Sequence, residues 1–362
     1  MIDEKIKALC NIFGISGKIK EIKKLTNGHI NLTYGIRVEE GDGEYDYVLQ
    51  RINTYVFKNP VEVMENIAKV TSHIAAKVGL NEYNTVYFLN TKEGINYFVD
   101  KDEYFWRCSK YIKNTVTFNS TEDLFVLEES GKAFGEFQRY LSDFNAKDLN
   151  IVIPHFHNTI MRYDAFKRAI EEDGVSRLRE VGREVDDYLS LEDIATQMYR
   201  MQKRGALPLK VTHNDTTCNN VLFDKDSLVY RAVIDLDTVM PGLIGFDFGD
   251  AVRFNANTCE EDERDISKVA LDFKKYEAFG KGFVSEVGSS LSENEKNTLH
   301  FGAITMTIEC GMRFLTDYLN GDKYFSVNFD DHNLVRSRCQ LALAKDMIAK
   351  SEEMKNILKK YF

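Results

Sequence analysis

The architecture of this chain turns on residues 211–250, VTHNDTTCNNVLFDKDSLVYRAVIDLDTVMPGLIGFDFGD. Val211 closes an apolar strand segment, and His213-Asn214-Asp215 follow at once. Asn220 comes five residues after Asp215. Asn220–Phe223 and Arg231–Leu236 have strand composition, and the polar run Asp224-Lys225-Asp226-Ser227 between them is a turn. The second strand ends in Ile234-Asp235-Leu236-Asp237. Carboxylates and one amide therefore stand at strand ends across a hairpin. The flanking segments are apolar enough to be buried, which holds the polar ends rigidly.

Phosphoryl transfer needs such an arrangement. One carboxylate accepts or orients a hydroxyl proton, while a second carboxylate and an amide oxygen hold a magnesium ion that bridges phosphates. Positioning and charge stabilisation dominate that chemistry. A lone His-x-Asp in a loop is ordinarily a turn or cap. The spacing to Asn220 and the hairpin leading to Asp235 set this one apart. His213 reads as a support of the loop through a hydrogen bond.

Outward from this segment, residues 19–112 are β-rich. Ile30–Val38, Tyr45–Ile52, Thr85–Leu89 and Tyr97–Tyr104 are strand candidates. Pro60 opens a helix over 60–78, with Val61, Met64, Ile67, Ala68 and Thr71 in a 3,4 period. From residue 121 the pattern turns helical, and Ser120-x-x-Asp123 resembles a capping box. Helical patterning returns from 261 to the end. This predicts an α+β chain with a small β-rich lobe over 1–112, a hinge near 107–114, and a large mainly helical lobe over 113–362.

Lysine and arginine total 47 against 57 acidic residues, a net charge of -10. That balance argues against a nucleic-acid binder and gives no attraction for an anionic membrane. Six scattered cysteines, with no CxxC pair, read as free thiols in a reducing compartment. The amino terminus lacks a signal-peptide pattern, so a cytoplasmic protein is expected, with no protein partner evident. His155-Phe156-His157 has no third ligand spaced nearby and reads as a loop.

HNDTTCNN matches the H-x-D-x-x-x-x-N pattern of protein-kinase-like folds, and more closely resembles the aminoglycoside phosphotransferase and choline kinase superfamily. THNDTTCNNVLFD, VIDLDTVMPGL and DFGDAVRFNAN together resemble most closely the N-acetylhexosamine 1-kinase group. Asn27-Gly28-His29-Ile30-Asn31 and Glu309-Cys310-Gly311-Met312-Arg313-Phe314 also resemble that group, so the likeness runs from about residue 20 to 345.

The resemblance implies a protein-kinase-like two-lobed fold and an ATP- and magnesium-dependent kinase. Its acceptor would be the anomeric hydroxyl of N-acetylglucosamine or N-acetylgalactosamine. Asp215 would be the base; Asn220 and Asp235 would bind magnesium, with Asp237 as the rival to Asp235. Asp247 and Asp250 would tie down the catalytic loop, although Asp247-Phe248-Gly249 looks like a magnesium motif. Gly28 would lie over the phosphates and His29 would touch the sugar. Phe254, Arg313 and Tyr324 would line the acceptor pocket beside Asp215.

The strand after the glycine loop departs from the pattern. Tyr47–Ile52 holds no phosphate-pairing lysine; Arg51 could take that role, or Gln50 could fill the slot without charge. Glu65 would be its helix partner. Two other readings stay open: the same fold acting on choline, ethanolamine, homoserine or an aminoglycoside, and a non-catalytic nucleotide-binding module.

Overall fold

A computed structural model describes residues 2–25, 30–79 and 86–362. Helix α1 (Ile2–Ile12) leads into three antiparallel neighbours, β1 (Lys18–Leu25), β2 (Leu32–Glu40) and β3 (Gly43–Arg51). Helix α2 (Pro60–Val78) carries its proline in the first turn, where a missing N–H is harmless. Strands β4 (Phe98–Val99) and β5 (Phe105–Lys110) complete a five-stranded sheet of order β1-β2-β3-β5-β4.

Strand periodicity gives this sheet two chemically different faces. Tyr47, Leu49, Trp106 and Cys108 pack on Ile6, Leu9 and Phe13 beside α1. Gln50 and Arg107, which are register partners on β3 and β5, lie on the opposite face, toward α2 and the second lobe.

The second lobe is mainly helical. It begins with β6 (Thr115–Val116), α3 (Leu124–Tyr140), α4 (Thr159–Glu172), α5 (Gly182–Ser190), α6 (Glu192–Ala195) and α7 (Gln197–Lys203). Four short strands follow: β7 (Lys210–Thr212), β8 (Val221–Asp224), β9 (Tyr230–Val233) and β10 (Met240–Gly242). Helices α8 (Ile244–Asn255), α9 (Phe273–Val287), α10 (Glu293–Leu319), α11 (His332–Ala349) and α12 (Ser351–Lys359) finish the chain. Phe248 of α8 is buried among Tyr276, Phe279 and Phe283 of α9.

Helices α8 and α10 cross at unusually short range. A Cβ on Gly302 would stand 1.8 Å from the Gly245 carbonyl oxygen, and one on Gly249 2.2 Å from the Gly302 oxygen. Only glycine allows that approach. Gly249 of Asp247-Phe248-Gly249 is thus a helix-packing residue.

Several local expectations need correction. Only Phe98–Val99 of Tyr97–Tyr104 is strand, because the Asp100 carboxylate accepts the backbone N–H groups of Asp102 and Tyr104 and turns the chain there. Strand β5 then runs to Lys110 and occupies part of the expected hinge. Of Thr85–Leu89, the described part contributes an isolated bridge, Phe88 to Ser109. The cap of α3 is Asp123 itself, accepting from the Phe125 N–H at 2.9 Å. The lysine-rich β1 was not anticipated; it is an edge strand, where such charge is at home. Among the described residues no helix is long and apolar enough to cross a membrane.

Candidate active site

Strands β7 and β10 pair antiparallel, as do β8 and β9. The loop joining β7 to β8 (213–220) and the loop joining β9 to β10 (234–239) therefore run side by side. Hydrogen bonds sew them together. The Ile234 N–H donates to the Asn220 carbonyl at 2.9 Å, the His213 ring Nε2–H to the Ile234 carbonyl at 2.9 Å, and the Asn214 amide to the Thr238 carbonyl at 2.9 Å. Burial pushes the His213 pKa down, so its ring is a neutral support of the loop. Asn214 (φ 64°) and Asp235 (φ 59°) both take the left-handed conformation. Asn and Asp tolerate it best among side-chain-bearing residues, and such backbone clusters at functional sites.

Helix α8 fixes the first loop from beneath. The Asp247 carboxylate accepts the backbone N–H groups of His213 and Asn214, each at 2.8 Å, and the Gln138 amide at 2.6 Å. The Asp250 carboxylate accepts the Thr216 N–H at 3.1 Å and is paired with Arg253 at 3.0 Å. Arg253 continues to Glu261 at 2.7 Å. Asp247 is therefore engaged in loop anchoring and points away from any metal role.

The loop presents Asp215. The Asn220 side-chain amide donates to the Asp215 carbonyl at 2.9 Å and to its carboxylate at 3.0 Å. Its NH2 is thereby committed, which leaves the amide oxygen to face a cation. Burial and the neighbouring Asp250 charge raise the Asp215 pKa to about 6, against the pull of Asn220 and Arg253.

Asp235 is exposed at the surface, although protein surrounds it elsewhere. That surrounding, and the charges of Asp237 and Asp215, raise its pKa as well. Converging carboxylates that resist ionisation are the electrostatic complement of a cation. Asn220 and Asp235 offer hard oxygen donors that suit a magnesium-type ion retaining water and phosphate oxygens. Among the described residues no group of three or more His, Cys, Asp or Glu side chains could hold a metal by itself.

Against the second loop packs a buried cation that sequence reasoning missed. Arg107 of β5 is 2% exposed and is salt-bridged to Asp237. Its Nε donates to Gln50 Oε1 at 2.9 Å. The second Asp237 oxygen accepts the Asn31 amide at 2.7 Å. Nothing in Phe105-Trp106-Arg107-Cys108-Ser109 marked the arginine; only the register between β3 and β5 brings it beside Gln50.

Arg51 does not join this group. One residue on from Gln50, it falls on the opposite face and stacks on Tyr104 at 4.3 Å. Glu65 does not join it either. It is exposed and accepts from the Asn150 amide at 2.9 Å, while the buried neighbour Asn66 donates to the Val239 carbonyl at 2.9 Å. Gly28 and His29 lie outside the described residues.

Of the residues expected to line an acceptor pocket, Arg313 of α10 makes no salt bridge among the described residues and lies 5.4 to 5.9 Å from the rings of Phe325, Tyr324 and Phe156. Burial pushes the Cys310 thiol, three residues earlier, up to about 12, and the charges of both Arg253 and Arg313 pull against it. Tyr324 is 68% exposed, and Phe254 is half-buried on α8. The fully buried Glu309 accepts from His157 and Thr159, both at 2.9 Å. Burial opposes its ionisation, but His157, Arg162 and Arg313 together hold its pKa below the usual range.

Fold and site together define a two-lobed small-molecule phosphotransferase. A model of the phosphotransferase enzyme family (APH) matches residues 21–277, and the chain belongs to that family. Solved structures agree in fold. An amicoumacin kinase, solved with AMP-PNP and Ca2+, is 11% identical, with a TM-score of 0.62 over 94% of this chain and 92% of that one. A microcompartment-associated aminopropanol kinase is 14% identical, with a TM-score of 0.58 over 97% and 98%. Choline kinase from Cryptosporidium parvum Iowa II is 14% identical, with a TM-score of 0.57 over 98% of each chain.

Proposed function

We propose that this protein is an ATP- and magnesium-dependent kinase whose acceptor is an uncharged amino sugar, the anomeric hydroxyl of N-acetylglucosamine or N-acetylgalactosamine. The observation that carries the reading is Asp215, raised to about 6, hydrogen-bonded to Asn220 and electrostatically coupled to Asp235. Asp215 would accept the acceptor O–H proton. The freed oxygen would form a bond to the γ-phosphorus as the bond to the β-phosphate oxygen breaks, and ADP would leave. Asn220 and Asp235 would hold magnesium, which when bound neutralises phosphate charge.

The acceptor class is argued from charge. Choline, ethanolamine and aminoglycosides bring a cation to the site. Here the guanidinium of Arg313 is without a salt bridge among the described residues, and Arg162 has its pKa lowered by burial and then by Arg313. The nearby carboxylates, Asp250 and Glu309, are already engaged. The Arg313 guanidinium among aromatic rings suits the hydroxyls, carbonyl and apolar face of an N-acyl sugar, while Arg162 is held by the Phe156 carbonyl, to which it donates at 2.8 and 3.2 Å. An ADP-release assay would present both amino sugars beside choline, ethanolamine, homoserine and an aminoglycoside. Turnover on an amino sugar at least about tenfold above the rest in kcat/KM, a margin of about 1.4 kcal/mol, is expected. Preference for a cationic acceptor would overturn the assignment.

A further inference from the structure

The buried cation facing the metal-binding loop comes from β5, while β3 supplies the uncharged Gln50. Both oxygens of Asp237 are taken by the small lobe, one by Arg107 and the other by Asn31. Asn31 is itself held in place, its side-chain oxygen accepting the Asn53 N–H at 3.0 Å. Arg107 is fixed by Gln50 on one side and lies over the Phe88 ring at 4.9 Å. Arg107 and Asp237 are 2% and 3% exposed, so the pair is sealed from water and ions. A buried pair of this kind is weak evidence for stability, and its best use is to enforce one arrangement.

We infer that Arg107 is a positioning residue for metal–nucleotide binding: with Asp237 it ties the segment Asp235-Leu236-Asp237 to the small-lobe sheet, from the strand beside the one that lacks a lysine. Asp235 is two residues from that tie and held in a left-handed turn, so its place against the sheet depends on the pair. The same geometry decides between the rival carboxylates. Asp237, with both oxygens engaged, is the anchor, and Asp235 is the carboxylate left exposed. Because Gln50 and Arg107 are register partners, a lysine at position 50 would extend toward the same carboxylate from the adjacent strand.

The inference rests on the kinase reading, and the test separates the two. Affinity for AMP-PNP is measured by calorimetry with and without Mg2+ for wild type, Arg107→Met and Gln50→Lys/Arg107→Met. Arg107→Met should weaken metal-loaded binding by about 10- to 100-fold, the usual effect of removing a support of a metal ligand, and weaken metal-free binding far less. The double variant should recover most of that loss. A folded Arg107→Met protein with wild-type metal dependence would overturn the inference, as would failure of the double variant to recover. If Arg107→Met does not fold, Arg107→Lys takes its place, since it keeps the charge but loses the Gln50 bond. A loss confined to metal-loaded nucleotide supports the inference, and equal weakening with and without metal overturns it. Failure of wild type to bind AMP-PNP in the presence of Mg2+ would instead defeat the kinase reading.

Discussion

Replacing Asp215 by Asn should make the ligand-free protein more stable while slowing its turnover about 10²- to 10⁴-fold. The Asp215 pKa stands at about 6, against 3.8 for an unperturbed aspartate. The native state therefore binds this proton more tightly than the unfolded chain does. The associated stability is present below pH 3.8 and is lost as pH rises through about 6. A gap of about two pH units corresponds to about 3 kcal/mol at about 1.4 kcal/mol per unit. Asp215 is partly open to solvent, so the expected gain for Asn at pH 8 is about 1–3 kcal/mol. With an unfolding entropy of about 2.1 cal/mol/K per residue, that is a rise of about 1–4 °C in Tm for a chain of this length. At pH 5 the gain should fall to about half, because the wild-type carboxyl is then largely protonated. Thermal unfolding at the two pH values, without nucleotide, measures it. Equal Tm values for variant and wild type at pH 8, or a gain that does not shrink at pH 5, would refute the reasoning.

Asp247→Asn should destabilise the protein by about 2–4 kcal/mol in denaturant titration, because an amide NH2 would face backbone N–H groups that the carboxylate now satisfies. Adding Mg2+ to the apoprotein should raise Tm at pH 8 and lower the pH at which Asp235 and Asp215 ionise, followed by NMR titration of the carboxyl carbons; no response to Mg2+ would remove these residues as its site. Arg313→Ala should raise KM for the amino sugar about 10- to 100-fold with kcat nearly unchanged, as expected for a uniform binding contact, and a fall in kcat alone would move Arg313 into the chemistry.

Much of the site is local in sequence, and that part was legible. Asp215, Asn220 and Asp235 fall within one hairpin, so spacing alone brought them together. Asp247 and Asp250 follow within one further helix, and their anchoring role was implied by the family resemblance. The helix from Pro60 to Val78 followed from its proline and its period. The unreadable part is the part made by register. Arg107 lies 57 positions from Gln50 and 130 from Asp237, and only strand pairing and lobe docking bring them into contact. Arg51 and Glu65 were misplaced for a related reason. Each is adjacent in sequence to the residue that faces the site, and on a strand or helix one step turns a side chain away. The turn at Asp100 escaped notice because a single carboxylate capping two backbone N–H groups overrode a strand-like composition.

The central claim is that Asp215 takes the proton from a sugar hydroxyl while phosphate is transferred to that oxygen. Phosphorus NMR of a reaction containing ATP, Mg2+ and N-acetylglucosamine or N-acetylgalactosamine tests it most directly. The account predicts one new sugar phosphate resonance coupled to the anomeric proton, forming with ADP. It also predicts about 10²- to 10⁴-fold slower formation with Asp215→Asn. A phosphate on another hydroxyl, no sugar phosphate at all, or undiminished turnover in the variant would contradict it.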